Sequence, residues 1–415
     1  MSKIKIGYYS VTNQLGGSEV YLRDVIKHVD RKKYHVLLFC NRKHPLLKEI
    51  DEGASLGNLD VIYIDKETDK ETDSCAVEHE QEIKEPQSAK KSWLRFLPSS
   101  LKLFLGTVKD ILRLKKIFQN NVVKVLHFND TGCEPPVIAA RLAGVYRITG
   151  TYHVEPSYDK EKMDWVRRLI EYISTRCMHS AIAVSNGVKT AWKKRVSLKG
   201  NNINVIYNGI DLERIDIDPK KERQKVLSEL KIDDCRHLIC VPARLHVMKG
   251  HKYLFEAIPK IQQSLSGIQF VCVGKGELKD ELEELAQKLK ISKVVHFMGF
   301  RRDILNIMAA SDLIVLPSIS LEALPYVLIE AMALSKPIVA TNFSGIPEIV
   351  EDHKTGILVP RKNPAALCEA VINLLSDEES AINMGVAGHE RALRNFDRKR
   401  MLKDTYDFYE KLVNE

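Results

Sequence analysis

Short apolar runs alternate with longer amphipathic stretches along the whole chain, and that rhythm constrains the fold more than any other feature. In the first half the runs are Ile4–Tyr9, His35–Phe39, Val61–Ile64, Val123–Phe128, Arg147–Thr151, Ala181–Val184 and Asn204–Ile206. In the second half they are His237–Val241, Gln269–Val273, Val294–Phe297, Leu313–Leu316, Pro337–Ala340 and Gly356–Leu358. Strands separated by helix-length segments predict an α/β fold, with parallel sheets covered by helices on both faces. A chain of 415 residues exceeds what one hydrophobic core serves, so each set is expected to form its own doubly wound domain.

The boundary is expected after Asn208-Gly209-Ile210-Asp211, where Asn-Gly reads as a turn and Glu213–Glu222 is charged without a core pattern. This divides the chain into residues 1–212, 213–395 and a last helix within 396–415. That helix, at about Asp397–Leu412, carries Tyr406, Phe408 and Tyr409, which need a surface to cover.

Hydrophobic residues make up 44% and charged residues 28%, the balance of a soluble globular protein. No apolar run approaches the roughly 18–20 residues of a membrane span. Residues 1–10 read as a first strand and not a signal peptide, so a cytoplasmic protein is expected, with the inner membrane face as a further location. None of the eight cysteines forms a C-x-x-C pair, which favours reduced thiols over a metal or disulfide framework. The net charge of +8 suits an anionic ligand or an acidic membrane surface. No nucleic-acid module is recognisable, so nucleic acid is not an expected partner.

Residues 65–88 carry the tandem repeat Lys66-Glu67-Thr68-Asp69, Lys70-Glu71-Thr72-Asp73 and further acid, and are expected to form a mobile loop. Residues 90–118 turn basic, with Lys90, Lys91, Arg95, Lys102, Lys109, Arg113, Lys115 and Lys116 interleaved with Trp93, Phe96, Leu97, Leu101, Phe104 and Leu105. This stretch is the expected site of peripheral membrane contact.

The densest chemical signal is Glu322-Ala323-Leu324-Pro325-Tyr326-Val327-Leu328-Ile329-Glu330. Pro325 suits a helix start, which leaves Glu322 in the preceding loop and Glu330 on the second turn. The amides of Leu324, Tyr326 and Val327 would then face an anion at a helix N-terminus. The run follows the strand at Leu313–Leu316, so it lies at the carboxyl end of a parallel sheet, where open α/β folds bind ligands. Arg244 and Lys249 follow the second domain's first strand and offer a guanidinium fork and a compact ammonium for phosphate oxygens. Gly274 and Gly276 follow the next strand and would let a ligand approach the backbone. Gly16-Gly17-Ser18-Glu19 reads either as an anion-binding loop or as a tight turn. Asp216-Ile217-Asp218 spells a D-x-D metal motif but lies in the linker, where solvated charge is the favoured reading.

Together these residues resemble the family 4 retaining glycosyltransferases. The resemblance rests on Gly16–Glu19, Thr151-Tyr152-His153, Val184-Ser185, Asn208–Asp211, Arg244 with Lys249, Gly274 with Gly276, Gly299-Phe300, Glu322–Glu330 and Ser344-Gly345-Ile346-Pro347-Glu348. It implies two facing Rossmann-like domains (GT-B) and a C-terminal helix crossing back to the first. It implies that Arg244 and Lys249 bind the donor diphosphate, that Glu330 holds the ribose and that Glu322 faces the donor sugar. Leu324, Pro325, Tyr326 and Val327 would lie beside sugar and phosphate, Gly16 and Gly17 would approach the diphosphate from the other domain, and His153 would lie near the reacting centre. Ala323 and Ala243 stand where the family often has glycine.

The expectation is therefore metal-independent transfer, with retention, from a nucleotide-diphosphate sugar. A UDP-sugar is favoured over a GDP-sugar, and no cofactor is implied. The acceptor would be a glycan, a lipid-linked molecule or a small molecule. The rival readings are a sugar-nucleotide 2-epimerase of the same architecture and a non-catalytic sugar-nucleotide sensor.

Overall fold

The computed structural model describes residues 3–12, 16–51, 59–65, 99–129, 134–156, 165–195, 202–212, 215, 217–320 and 322–414. The acidic stretch at 66–88 and Lys90, Lys91, Trp93 and Arg95 lie outside the described residues.

Two parallel sheets organise the chain. The first holds β1 (Ile4–Tyr9), β2 (Tyr34–Cys40), β3 (Leu59–Tyr63), β4 (Val125–Phe128), β5 (Arg147–Tyr152), β6 (Ala181–Ala183) and β7 (Ile203–Val205), in the order β3-β2-β1-β4-β5-β6-β7. The second holds β8 (His237–Pro242), β9 (Ile268–Val273), β10 (Val295–Gly299), β11 (Leu313–Leu316), β12 (Ile338–Thr341) and β13 (Ile357–Val359), in the order β10-β9-β8-β11-β12-β13. Each expected strand appears within a few residues of its run. In both sheets the first strand in sequence sits inside, with the order reversing beside it, between β1 and β4 and between β8 and β11. Open α/β sheets bind ligands at the carboxyl ends of strands flanking such a reversal.

Helices α1 (Gly17–His28), α2 (Pro45–Asp51), α3 (Ser99–Asn120), α4 (Glu134–Leu142), α5 (Trp165–Cys177) and α6 (Asn186–Arg195) accompany the first sheet. Helices α7 (Pro219–Leu230), α8 (His251–Ser264), α9 (Lys279–Lys288), α10 (Ile304–Ala310), α11 (Tyr326–Ala333), α12 (Ile346–Ile349), α13 (Pro364–Ser376) and α14 (Glu378–Asn395) accompany the second, and α15 (Arg398–Asn414) ends the chain. Helix α7 begins inside the charged stretch that showed no core pattern. Asp218 explains why: its carboxylate caps the helix by accepting from the amides of Lys220 and Lys221, and Pro219 fills the first helical position. Half of the D-x-D motif is thus a helix cap.

The chain crosses between the sheets twice, and the two crossings pair. Ile210 N donates to Phe396 O at 2.9 Å, Arg398 N donates to Ile210 O at 3.0 Å, and Arg398 Nη2 meets Asp211 Oδ2 at 2.8 Å. Asn208-Gly209 is therefore not the turn the dipeptide suggests. Gly209 is needed because a Cβ there would sit 2.7 Å from Asp397 O and 2.8 Å from Arg398 Cα.

Beyond the crossing, α15 packs on the first domain, as expected. Met401, Leu402, Tyr409 and Leu412 join the core formed by β1, β2 and α1. Tyr406 Oη donates to Val25 O at 2.7 Å, and Tyr409 Oη lies 2.9 Å from His127 Nδ1. Among the described residues no helix is long and apolar enough to cross a membrane. The described cysteines Cys40, Cys177, Cys235, Cys240, Cys272 and Cys368 are free thiols.

Candidate active site

In the second domain the loops after β8 and β11 meet at the order reversal. The loop after β8 carries Arg244 and then a tight 3-10 turn, Val247–Lys249, which His246 caps by accepting from Met248 N at 3.1 Å. Gly250 closes that turn at a positive φ of 70°, and a Cβ there would lie 2.1 Å from Pro317 O. Ile319 N reaches back to Met248 O at 2.8 Å, so the two loops are joined through backbone. This joining places the Lys249 ammonium on Glu322 Oε1, while Ser318 Oγ donates to the same oxygen at 2.7 Å. The Glu322 side chain is nearly sealed, at 6% exposure, and that of Lys249 is at 21%. Arg244 is exposed and, among the described residues, has no side-chain partner.

Pro325 caps α11, which puts the amides of Tyr326 and Val327 in its first turn, where no intrahelical carbonyl reaches them. Leu324 is buried in the preceding loop, its carbonyl held by Asn208 Nδ2 at 3.1 Å. Glu330 lies on the second turn, as expected, and burial pushes its carboxyl up to about 7. The Tyr326 ring reaches the first domain: a Cβ on Gly17 would be 3.3 Å from its Cδ2. Its hydroxyl is buried and, among the described residues, has no hydrogen-bond partner.

Gly274 and Gly276 hold two loops in close contact. A Cβ on Gly274 would lie 2.1 Å from Ala243 O, and one on Gly276 2.1 Å from Leu245 O. Leu245 N donates to Lys275 O, and Leu278 N to Leu245 O, each at 3.1 Å. The glycines let the loop after β9 press against the loop after β8, and so they set the backbone from which Arg244 projects.

In the first domain Gly16-Gly17-Ser18-Glu19 is the start of α1. Glu19 turns back so that its Oε2 accepts from Gly16 N at 2.9 Å and its Oε1 from Ser18 Oγ at 2.8 Å. His153 follows β5, half-buried, with its ring edge-on to Tyr21 at 5.2 Å between centroids. Burial pushes its imidazole down to about 3, so it is neutral at neutral pH. Sequence reasoning passed over Asn129, which ends β4. Its Oδ1 lies 3.2 Å from His153 Nε2 and its Nδ2 donates to Ser18 O at 3.0 Å, tying the histidine to the helix start. Ser318 was passed over too. In the sequence each was one polar residue after a strand, and only the strand order shows that both flank a reversal.

The described residues hold no group of three His, Cys, Asp or Glu side chains placed to bind a metal ion. The chemistry on hand in the second domain is a guanidinium with no side-chain partner among the described residues, a lysine–glutamate pair and helix-end amides at the carboxyl edge of the sheet, and in the first domain a neutral histidine. That arrangement stabilises negative charge developing at an oxygen of a bound anion.

Known proteins share this organisation. Residues 15–214 match the family described as Glycosyltransferase Family 4, and residues 222–391 match Glycosyl transferases group 1. The chain belongs to these glycosyltransferases. It is 30% identical over 298 residues to alpha-maltose-1-phosphate synthase of Mycobacterium tuberculosis, covering 66% of this chain and 75% of that protein. It is 28% identical over 280 residues to the UDP-Gal:alpha-D-GlcNAc-diphosphoundecaprenol alpha-1,3-galactosyltransferase of Escherichia coli, covering 65% and 71%. The crystal structure of Anabaena HepE in complex with UDP superposes with a TM-score of 0.76 at 20% identity, over 98% of this chain and 100% of that one. This glycosyltransferase accordingly has the GT-B architecture and uses nucleotide-sugar donors.

The Lys249–Glu322 pair has a measurable structural weight. Lys249→Met leaves a buried carboxylate with Ser318 as its remaining side-chain partner, and removal of one member of a buried pair costs about 3 kcal/mol. Urea unfolding is expected to show that loss, and a Lys249→Met/Glu322→Leu double variant is expected to recover part of it. Additive losses would show that the two side chains do not depend on each other.

Proposed function

We propose that this glycosyltransferase transfers a sugar with retention and without a metal ion, from a UDP-sugar in preference to a GDP-sugar. One observation carries the reading: on the loop after β8, Arg244 is exposed with no side-chain partner among the described residues, while Lys249 of the same loop pairs with Glu322 across the reversal between β8 and β11. The anomeric C–O bond to the diphosphate breaks, and the negative charge that develops on the departing phosphate is met by Arg244, Lys249 and the Tyr326 and Val327 amides. Glu322, held by Ser318, faces the sugar hydroxyls. Glu330 accepts hydrogen bonds from the ribose hydroxyls. His153, neutral and oriented by Asn129, faces the sugar from the first domain. The acceptor oxygen attacks on the same face, and its proton passes to the departing diphosphate oxygen.

The acceptor we propose is lipid-linked or membrane-bound, reached through helix α3. Leu101, Leu103, Phe104, Leu105 and Leu112 are exposed along that helix, and Lys109 and Lys116 are exposed with them. Helix α5, which packs against α3 and α4, adds an outward stripe of Trp165, Leu169, Tyr172 and Ile173. Arg113 does not belong to the patch, because its guanidinium donates to Ile64 O.

Release of UDP from UDP-glucose, with water as acceptor, tests the core of the reading. The rate is expected to be unchanged by excess EDTA, and Arg244→Ala is expected to lose roughly 2–4 kcal/mol of transition-state stabilisation. Loss of turnover in EDTA with rescue by Mn²⁺ or Mg²⁺ would refute it.

The ribose assignment has a pH signature. Only the ionised Glu330 accepts both ribose hydroxyls, and its carboxyl sits at about 7 without donor. Lowering the pH therefore forces binding to release a proton. UDP-glucose, which has no phosphate titrating in this range, is expected to bind about tenfold more weakly at pH 6 than at pH 8. A flat profile in calorimetric titrations, or one retained in Glu330→Gln, would unseat the role.

Membrane contact is measured by co-sedimentation. Binding to phosphatidylglycerol vesicles but not to phosphatidylcholine vesicles is expected, weakened by salt and by a Phe104→Ser/Leu105→Ser variant. Equal, negligible binding to both would exclude the surface.

A further inference from the structure

Glu348, which closes the Ser344-Gly345-Ile346-Pro347-Glu348 segment, has no part in the chemistry above, yet its carboxylate accepts four hydrogen bonds from the first domain. Oε2 accepts from Asn186 N at 2.7 Å, from Asn186 Nδ2 at 2.9 Å and from Tyr207 Oη at 3.0 Å. Oε1 accepts from Gly187 N at 2.7 Å. Asn186 and Gly187 are the first two residues of α6 in the first domain, while Glu348 belongs to α12 in the second. The next amide, that of Val188, is taken by Ser185 Oγ at 3.2 Å. A carboxylate from one domain thus caps a ten-residue helix of the other, where the helix dipole and the orphan amides favour negative charge.

Both sides of this joint are braced. On the second domain, Arg391 donates to Glu348 O and to Ile349 O, each at 2.8 Å, and pairs with Glu351. Space is tight as well. A Cβ on Gly187 would lie 3.0 Å from the Ser344 carbonyl carbon, and one on Gly345 would lie 1.5 Å from Ala323 O and 2.9 Å from Ser185 Oγ. The Gly345 contact matters most, because Ala323 lies between Glu322 and Leu324. The loop that presents Glu322 and starts α11 therefore rests on the segment that Glu348 holds. Asn208 adds a second tie through its bond to Leu324 O.

We infer that Glu348 is a positioning residue for the transfer. By capping α6 it fixes the Glu322–Val327 loop of the second domain relative to Gly17 and His153 of the first. The inference rests on the donor reading for its catalytic consequence and on geometry alone for the joint. Nucleotide contacts on the second domain do not pass through Glu348, so its loss uncouples turnover from affinity.

The test compares Glu348→Gln, Glu348→Ala and Tyr207→Phe with the parent protein. Glutamine keeps the size but turns an NH2 group toward donors. UDP affinity is expected to stay within about threefold of the parent, while UDP-glucose hydrolysis falls at least about tenfold, the scale of a misplaced reacting group. Tyr207→Phe, which leaves the charge and the second domain intact, is expected to give a smaller loss in the same direction. The Tyr207→Phe/Glu348→Gln double variant is expected to be no slower than Glu348→Gln alone. Affinity and turnover falling in parallel, turnover unchanged, or losses that multiply in the double variant would each overturn the inference. Solution scattering tests the joint with no donor present. Glu348→Ala is expected to raise the radius of gyration, and an unchanged value overturns the joint. Failure of the parent protein to bind UDP would strike the donor reading and leave the scattering result to judge the joint.

Discussion

Everything in this molecule that involves both domains depends on the paired crossing at Ile210 and Phe396–Arg398. Two backbone segments run side by side, share hydrogen bonds in both directions and add the Asp211–Arg398 ion pair. The close approach is possible because Gly209 has no side chain. A single covalent link would leave one domain free to rotate about it. Two hydrogen-bonded links restrict that freedom, and α15, seated against α1 and β4, keeps the second link from peeling away. Behind the crossing an apolar core continues from Tyr152, Val188 and Trp192 of the first domain into Ala323, Leu324 and Ile346 of the second.

With the domains held in this way, the same topological device operates twice. Each parallel sheet reverses its strand order beside its first strand, and each reversal leaves a crevice at the carboxyl ends. On one side the crevice is bordered by the start of α1, Asn129 and His153. On the other it is bordered by Arg244, Lys249, Glu322 and the start of α11. The two sides differ electrostatically. The second domain concentrates fixed positive charge and helix amides, and the first offers a histidine that burial keeps neutral.

The glycines illustrate a general point about binding loops. Gly274 and Gly276 are spaced as though to admit a ligand, and each is also pressed against a carbonyl of the neighbouring loop. Gly250 is likewise pressed against Pro317 O. Close backbone packing removes slack from the segments that carry Arg244 and Lys249, and preorganised charge is effective only when it does not have to move. The glycines therefore add to the rigidity of the loops around the site.

Much of this was legible in the residue order, because local rules govern it. The strands follow from runs of Val, Ile, Leu and Phe, the start of α11 from Pro325, and the placement of Glu322 and Glu330 from the length of one and a half helical turns. The likeness of Glu322–Glu330, Arg244 and Lys249 to a known family pointed to the chemistry. What the sequence could not decide was anything set by residues far apart in the chain. Asn208-Gly209 has the local character of a turn, and only its approach to Asp397 explains the glycine. Asp218 read as solvated charge in the linker, and α7 claims it as a cap. Asn129 and Ser318 carry no motif that announces them, and Glu348 closes a segment that resembles the family but that nothing in the sequence gives a role. They matter because strand order brings β4 beside β1, Ser318 donates to Glu322 four residues on, and the crossing brings α12 to the start of α6. Local propensity acts over a few residues, whereas the contacts of Gly209 with Asp397 and of Glu348 with Asn186 span 188 and 162 positions and exist only once the chain has folded.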